Sequence, residues 1–247
     1  MRLLACATTA ALALCGLAVP AGATATTVVY GYAWSDGADR LRVLPRSATL
    51  VRRSGYLLYR LKAIPKAKEL KLDYSGAAYR RVTTACDLKE TEGRVAVDRK
   101  GFGKTVCEPG DLAATLLRGP VPVRVHYSGG KAVQVSEFLT EAPKLSVVRG
   151  TVKRVDDRTV LFTRGGKTSK LGYTHVLSFS RVTARCDSGW LSGRPVNADR
   201  NGLGRKDCQA ADFTGALKKL KHPVLVQIDY QPGSGQVFQV WEVFGDA

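Results

Sequence analysis

The sequence predicts a mainly β protein made of two tandem OB-like β-barrel domains, each with one short helix and an extra disulfide-tied hairpin. Three observations lead there. First, the chain repeats itself: Arg81-Val82-Thr83-Thr84-Ala85-Cys86-Asp87 returns as Arg181-Val182-Thr183-Ala184-Arg185-Cys186-Asp187, and Asp98-Arg99-Lys100-Gly101-Phe102-Gly103-Lys104 returns as Asp199-Arg200-Asn201-Gly202-Leu203-Gly204-Arg205. Second, each copy reads strand, strand, strand, helix, strand, strand, the element order of an OB barrel. Third, each copy holds its own pair of cysteines. Immunoglobulin-like β-sandwiches with a short helix are the alternative.

Residues 1–23 read as a secretory signal peptide. Arg2 supplies the positive start, Leu3 to Val19 is apolar or small, and Ala21-Gly22-Ala23 offers a small-x-small cleavage site. The apolar run is short for a membrane span. The first repeat domain then covers 24–143 and the second 144–247, with a short linker around Thr140-Glu141-Ala142-Pro143-Lys144.

Each copy opens with two strands. Val28 to Val43 turns at Ser35-Asp36-Gly37, and Val147 to Phe162 turns at Asp156-Asp157. A third strand, Val176 to Thr183 in copy two, runs into the first cysteine. A hairpin with Asp-Arg-x-Gly at its tip leads to the second cysteine. The helix signal follows: Pro109 and Asp111 precede Leu112 to Arg118, which Gly119-Pro120 stops, and Asp212 precedes Phe213 to Leu220. Acids at that end favour the helix dipole. A final hairpin closes each copy, around Ser128-Gly129-Gly130 and around Gln231 to Gly235.

The repeat selects one cysteine pairing of the three that four cysteines allow: Cys86 with Cys107 and Cys186 with Cys208. An exported chain meets an oxidising compartment, so disulfides are expected. Neither pair has the spacing or the neighbouring histidines of a zinc site. The formal charge is +17. Copy one carries 20 Lys and Arg against 12 Asp and Glu, and copy two 17 against 9, so basicity belongs to each domain. Such charge serves solubility or draws the protein to polyanions, including wall polymers, acidic polysaccharide and nucleic acid.

Copy one is longer by an insertion at about 46–65. There Arg52, Arg53, Arg60 and Lys62 interleave with Tyr56 and Tyr59. Cations between rings suit a polyanion-binding strip. The competing reading is a hairpin extension whose Tyr56, Leu58 and Leu61 pack on the barrel.

A site inherited from the ancestral domain should occur twice. The histidines, His126, His175 and His222, are not duplicated, and no Gly-x-Ser-x-Gly elbow is present. The duplicated acids are Asp87 and Asp187, Asp98 and Asp199, and Glu137 and Glu242. Asp98 and Asp199 suit turns in which Asp bonds its own backbone. Glu137 and Glu242 are expected to face solvent or to pair with Arg81 and Arg181. No catalytic residue, metal or cofactor is expected.

Asp-Arg-x-Gly-x-Gly followed closely by Cys resembles the Excalibur calcium-binding loop. Lys100 and Phe102 stand where that loop needs oxygen ligands, and Cys208 where a calcium loop has its bidentate Glu. Arg81 to Asp87, with the segment after Cys107, resembles the Streptomyces subtilisin inhibitor family, which would imply a secreted protease inhibitor. The gap between the cysteines is longer here, and that family's second disulfide has no counterpart. The expected function is a secreted, non-enzymatic binding protein attracted to an anionic envelope or extracellular polymer. The alternatives are the inhibitor or an enzyme whose site is unique to one copy.

Overall fold

The computed structural model describes residues 26–53, 55–91, 93–141, 144–190 and 194–244. The expected signal peptide at 1–23 and part of the linker lie outside the described residues. The chain is mainly β, in two similar sheets of eight and seven strands, each with one helix.

The first repeat contains β1 (Thr27–Ser35), β2 (Arg40–Arg53), β3 (Tyr56–Ala63), β4 (Leu70–Asp73), β5 (Ala78–Arg81), β6 (Thr105–Cys107), α1 (Pro109–Arg118), β7 (Val121–Ser128) and β8 (Lys131–Glu137). The second contains β9 (Ser146–Asp156), β10 (Thr159–Arg164), β11 (Lys167–Gly172), β12 (Ser178–Arg181), β13 (Lys206–Gln209), α2 (Ala210–Lys218), β14 (Val224–Gln231) and β15 (Gln236–Glu242). β1 lies between β2 and β7, and β9 between β10 and β14, all antiparallel. β5 and β12 join the last strand of their repeats in parallel.

The structure differs from the sequence expectation at the third strand. Lys167–Gly172 and Leu70–Asp73 are strands that precede the one running into the first cysteine, which is only four residues long. Four of the six residues in β11 are polar and exposed, so hydrophobic alternation does not mark it; Leu171 alone carries a large apolar side chain into the core. The Asp-Arg-x-Gly segment is a turn closed by single bridges, Val97 with Gly103 and Ala198 with Gly204, not a hairpin of full strands.

Two cores follow from the alternation. Leu41, Val43, Tyr79, Leu112, Leu116, Val123, Val125 and Val135 pack in the first. Val160, Phe162, Phe179, Phe213, Leu217, Val226, Ile228 and Val240 pack in the second. The helices are fixed alike. The Glu108 backbone N–H donates to Asp111 Oδ2 at 3.0 Å and the Gln209 N–H to Asp212 Oδ2 at 2.9 Å, with the acid in the first turn of each helix.

The extra length of copy one is an arm. β2 pairs with β1 and β4 through its first half, then continues outward and pairs with β3 from Arg46–Ala63 to Arg53–Tyr56. The repeats also dock on one another. Trp34 is buried, and a Cβ on Gly172 would lie 3.0 Å from its ring. Arg42 Nη1 donates to Thr159 Oγ1 at 3.0 Å in a buried contact. Thr174 Oγ1 donates to the Arg118 carbonyl at 3.2 Å, and Lys170 pairs with Glu69 at 3.2 Å.

Candidate functional site: a basic arm and two disulfide-tied turns

The duplicated charges sort into buried and exposed. Arg81 and Glu137 are 2% and 4% exposed, and Arg181 and Glu242 are fully buried. Arg181 Nε donates to Glu242 Oε2 at 3.1 Å, and its other nitrogens donate to the carbonyls of Cys186, Ser188 and Gly189 at 2.8, 2.6 and 2.8 Å. Arg81 Nε donates to Glu137 Oε1 at 3.3 Å, and Nη1 to the carbonyls of Cys86 and Leu88. The Val82 and Val182 N–H groups complete the carboxylates at 2.9 and 3.1 Å. In the first repeat Tyr79 adds its hydroxyl to Glu137. Burial, then the Glu137 charge, pushes that phenol strongly up. Glu137 and Glu242 therefore pair with the arginines as expected and do not face solvent. The pair ties the start of each disulfide loop to the last strand.

Both disulfides join the expected partners, Cys86–Cys107 and Cys186–Cys208, each with Cα atoms 5.6 Å apart. Asp111 and Asp212 lie beside them. Sulfurs bonded to each other are not thiolates, so these clusters offer no sulfur ligand set for a metal.

Inside each loop sits the Asp-Arg-x-Gly turn. Asp98 Oδ1 accepts from the N–H groups of Lys100 and Phe102 at 2.8 and 2.9 Å. Asp199 does the same with Asn201 and Leu203 at 2.7 and 2.8 Å, which holds its carboxyl below the usual range, the Leu203 bond contributing most. These acids are spent on their own backbone, as the turn reading expected. Gly101 and Gly202 adopt φ of 83° and 76°, where a side chain is strained. Gly103 and Gly204 have no room: a Cβ would sit 2.4 and 2.5 Å from the carbonyl carbons of Arg81 and Arg181.

The arm lies over the first of these turns. Tyr59 Oη donates to the Lys100 carbonyl at 2.7 Å, and its ring stacks on Phe102 at 5.2 Å. Tyr30 and Phe138 complete an aromatic cluster, and the Arg124 guanidinium lies 3.6 Å from the centre of the Phe102 ring. Burial pushes the Tyr59 hydroxyl up to about 12. In the second repeat Arg149 Nη2 reaches the matching carbonyl, Asn201, at 3.0 Å, and the described residues form no arm.

The six residues of the expected strip are thus divided. Strand register puts Arg53, Tyr56, Arg60 and Lys62 on one face of the arm, and Arg52 and Tyr59 on the other. Tyr59 is only 7% exposed and serves the aromatic cluster, whereas Tyr56 is 45% exposed. Arg60 makes a two-pronged ion pair with Glu141 at 2.8 and 2.9 Å, and Arg53 lies 3.7 Å from the same carboxylate. The Arg60 hydrogen bond holds the Glu141 carboxyl below its ordinary range. Tyr32, Tyr59, Arg60, Lys144 and Gln231 line a cleft of about 500 Å³ between arm, linker and the last hairpin of repeat two. Periodicity alone does not show the aromatic cluster. Its sequence signal is that Tyr30 and Arg124 share the outward parity of their strands, and Phe138, one residue past β8, continues the parity of Ser136.

The histidines sit apart in the chain. His175 Nδ1 lies 3.2 Å from the Leu117 carbonyl and His222 Nδ1 3.1 Å from the Pro223 carbonyl. His126 is half-buried, and desolvation, with Arg124 second, holds it below its ordinary value. Comparisons with protein-family models, with curated proteins and with solved structures find no match to the chain.

Proposed function

We propose that the chain is an exported, non-enzymatic binding protein whose two OB-like barrels present a basic surface to an anionic extracellular or envelope polymer. The observation that carries this reading is the fate of the charges. Among the described residues, 29 Lys and Arg are exposed against 8 Asp and Glu. The acids are drawn into pairs and turns: Glu137 and Glu242 are buried on arginine, Asp98 and Asp199 bond backbone, and Glu141 holds Arg60. A surface of that balance attracts polyanions and releases their counterions on binding.

The OB-like reading draws support from the pairings. In repeat one β1 pairs β2, β2 pairs β4, β4 meets β8 in parallel, β8 pairs β7 and β7 returns to β1. In repeat two β9, β10, β11, β15 and β14 follow the same circuit. An antiparallel set joined by a parallel contact between its third and last strands, with a helix before the fourth, has the order of that barrel. Export draws on the N-terminal segment and the two disulfides. The non-enzymatic reading draws on the duplicated residues, whose chemistry is spent on structure.

The test is retention of residues 24–247 on an immobilised anionic polysaccharide across a salt series. Binding should weaken steeply and linearly in log–log form as salt rises. Arg52→Ser, Arg53→Ser and Lys62→Ser together should weaken it and flatten the slope. No retention at low salt would sink the proposal.

A further inference from the structure

Duplication over the disulfide-bounded segment preserves more than the fold requires. Its core and turn residues have structural duties in both copies: the buried arginine, the turn Asp, the glycines, the cysteines, and Thr83 and Thr183, whose hydroxyls each donate to a carbonyl two residues on at 2.8 Å. Asp87 and Asp187 stand beside the first cysteine, and Asp187 is held by Arg185, which copy one lacks. Besides that exposed acid, the duplicated positions left over are cationic, three to a copy: Arg94 and Arg194, Arg99 and Arg200, Lys104 and Arg205. All six are exposed. Among the described residues none of them makes an ion pair. The turn acid next to Arg99 and Arg200 is occupied by backbone N–H groups. Solvated Lys and Arg contribute little to stability, so structure alone does not demand a cation at three matching places.

We infer that these six cations are the ancestral anion-binding element of the domain, one set per repeat, taking the oxyanions of a flexible anionic polysaccharide. The inference rests on the proposed function and names its contact residues. Nucleic acid fits less well. Reading single strands uses exposed rings on which bases stack. Here the rings next to the turn, Tyr59 and Phe102, are buried on each other and on Arg124. The arm is then an addition of copy one alone, and the turns carry the shared activity.

The experiment measures binding of residues 24–247 to heparin, as a probe polysaccharide, over a salt series. Three variants are compared: Arg99→Ser with Lys104→Ser, Arg200→Ser with Arg205→Ser, and all four together. Each pair should lower the magnitude of the log–log slope by roughly 1.5, and the quadruple variant by roughly 3, at about 0.7–0.9 per contact. Arg→Lys exchanges at 99, 200 and 205 should keep the slope, which separates charge from misfolding. An unchanged slope in the quadruple variant, with binding lost on substituting the arm, overturns the inference and leaves the proposed function standing. So does a loss confined to one repeat. Tighter binding to single-stranded DNA than to heparin at equal salt overturns the choice of polymer. Absence of any binding by the unsubstituted protein overturns both readings.

Discussion

Removing Arg181 would leave Glu242 as a carboxylate at zero exposure without the cation that faces it. Breaking one partner of such a pair costs about 3–5 kcal/mol, whereas replacing both with apolar groups is often close to neutral. Arg181→Met should therefore lower stability by about that amount in urea titrations, and Arg181→Met with Glu242→Leu should recover part of it. Recovery will be incomplete, because Arg181 also satisfies the carbonyls of Cys186, Ser188 and Gly189. A double variant no more stable than the single one would mean that the carbonyl contacts, and not the ion pair, hold the loop. The pairing was legible in the sequence, since Arg and Glu are duplicated together. Their burial was not. Gln134-Val135-Ser136 alternates like a strand with one wet face, yet Ser136 and Phe138, which share that parity, are buried, and Glu137 falls on the inward face with Val135 and Val123. What covers the outer face at that end is the disulfide loop and its turn, through Phe102–Phe138 and Gly103 to Glu137 contacts, and nothing within the strand itself announces them.

At the scale of elements, the arm shows how one insertion acquires a second purpose. Its outward charges fit the binding reading, while its inner face packs on the turn that both repeats share: Leu57 Cβ would lie 3.2 Å from a Cβ on Gly101. Tyr59 joins the two elements by its ring and its hydroxyl. Tyr59→Phe should keep the stacking and lose the bond to the Lys100 carbonyl, costing about 1 kcal/mol. Tyr59→Ala should cost about 3–5 kcal/mol, as large aromatic truncations in cores do. Denaturant melts of the two variants separate the contributions, and equal losses would show that the hydroxyl matters more than the ring. The sequence marked the arm's position and its cations. It did not assign faces, because Tyr56 and Tyr59 differ by three residues and so fall on opposite sides of a strand, whereas composition counts them alike. The helices were more legible, since Pro109, Asp111, Asp212 and Gly119 are local signals. Strand β11, mostly exposed and polar, gives no such signal.

Across the whole molecule, the two repeats have separate cores and a shared seam. The seam is unequal: Trp34 and Arg42 of repeat one meet Gly172 and Thr159 of repeat two, and by strand register their counterparts in repeat two are Lys153 and Leu161. Repeat two therefore offers no second Trp–Arg face, and the seam joins one pair of domains without propagating. No sequence pattern foretold it, because Trp34 and Gly172 are far apart in the chain and contact across repeats leaves no periodicity. Most of its content is burial and hydrogen bonding to neutral acceptors, and its one ion pair among the described residues, Lys170 with Glu69, is exposed enough to be worth at most about 1 kcal/mol. Residues 24–247 should consequently unfold in a single calorimetric transition. Trp34→Ala removes the buried ring from the seam, at about 3–5 kcal/mol, without touching either core. It should divide the melt into two transitions, the later one matching that of an isolated fragment of residues 144–247. If Trp34→Ala still melts as one unit, the repeats are coupled by the contacts of Thr174 and Gln236 with Arg118 and Gly119, and the seam's strength lies at that end.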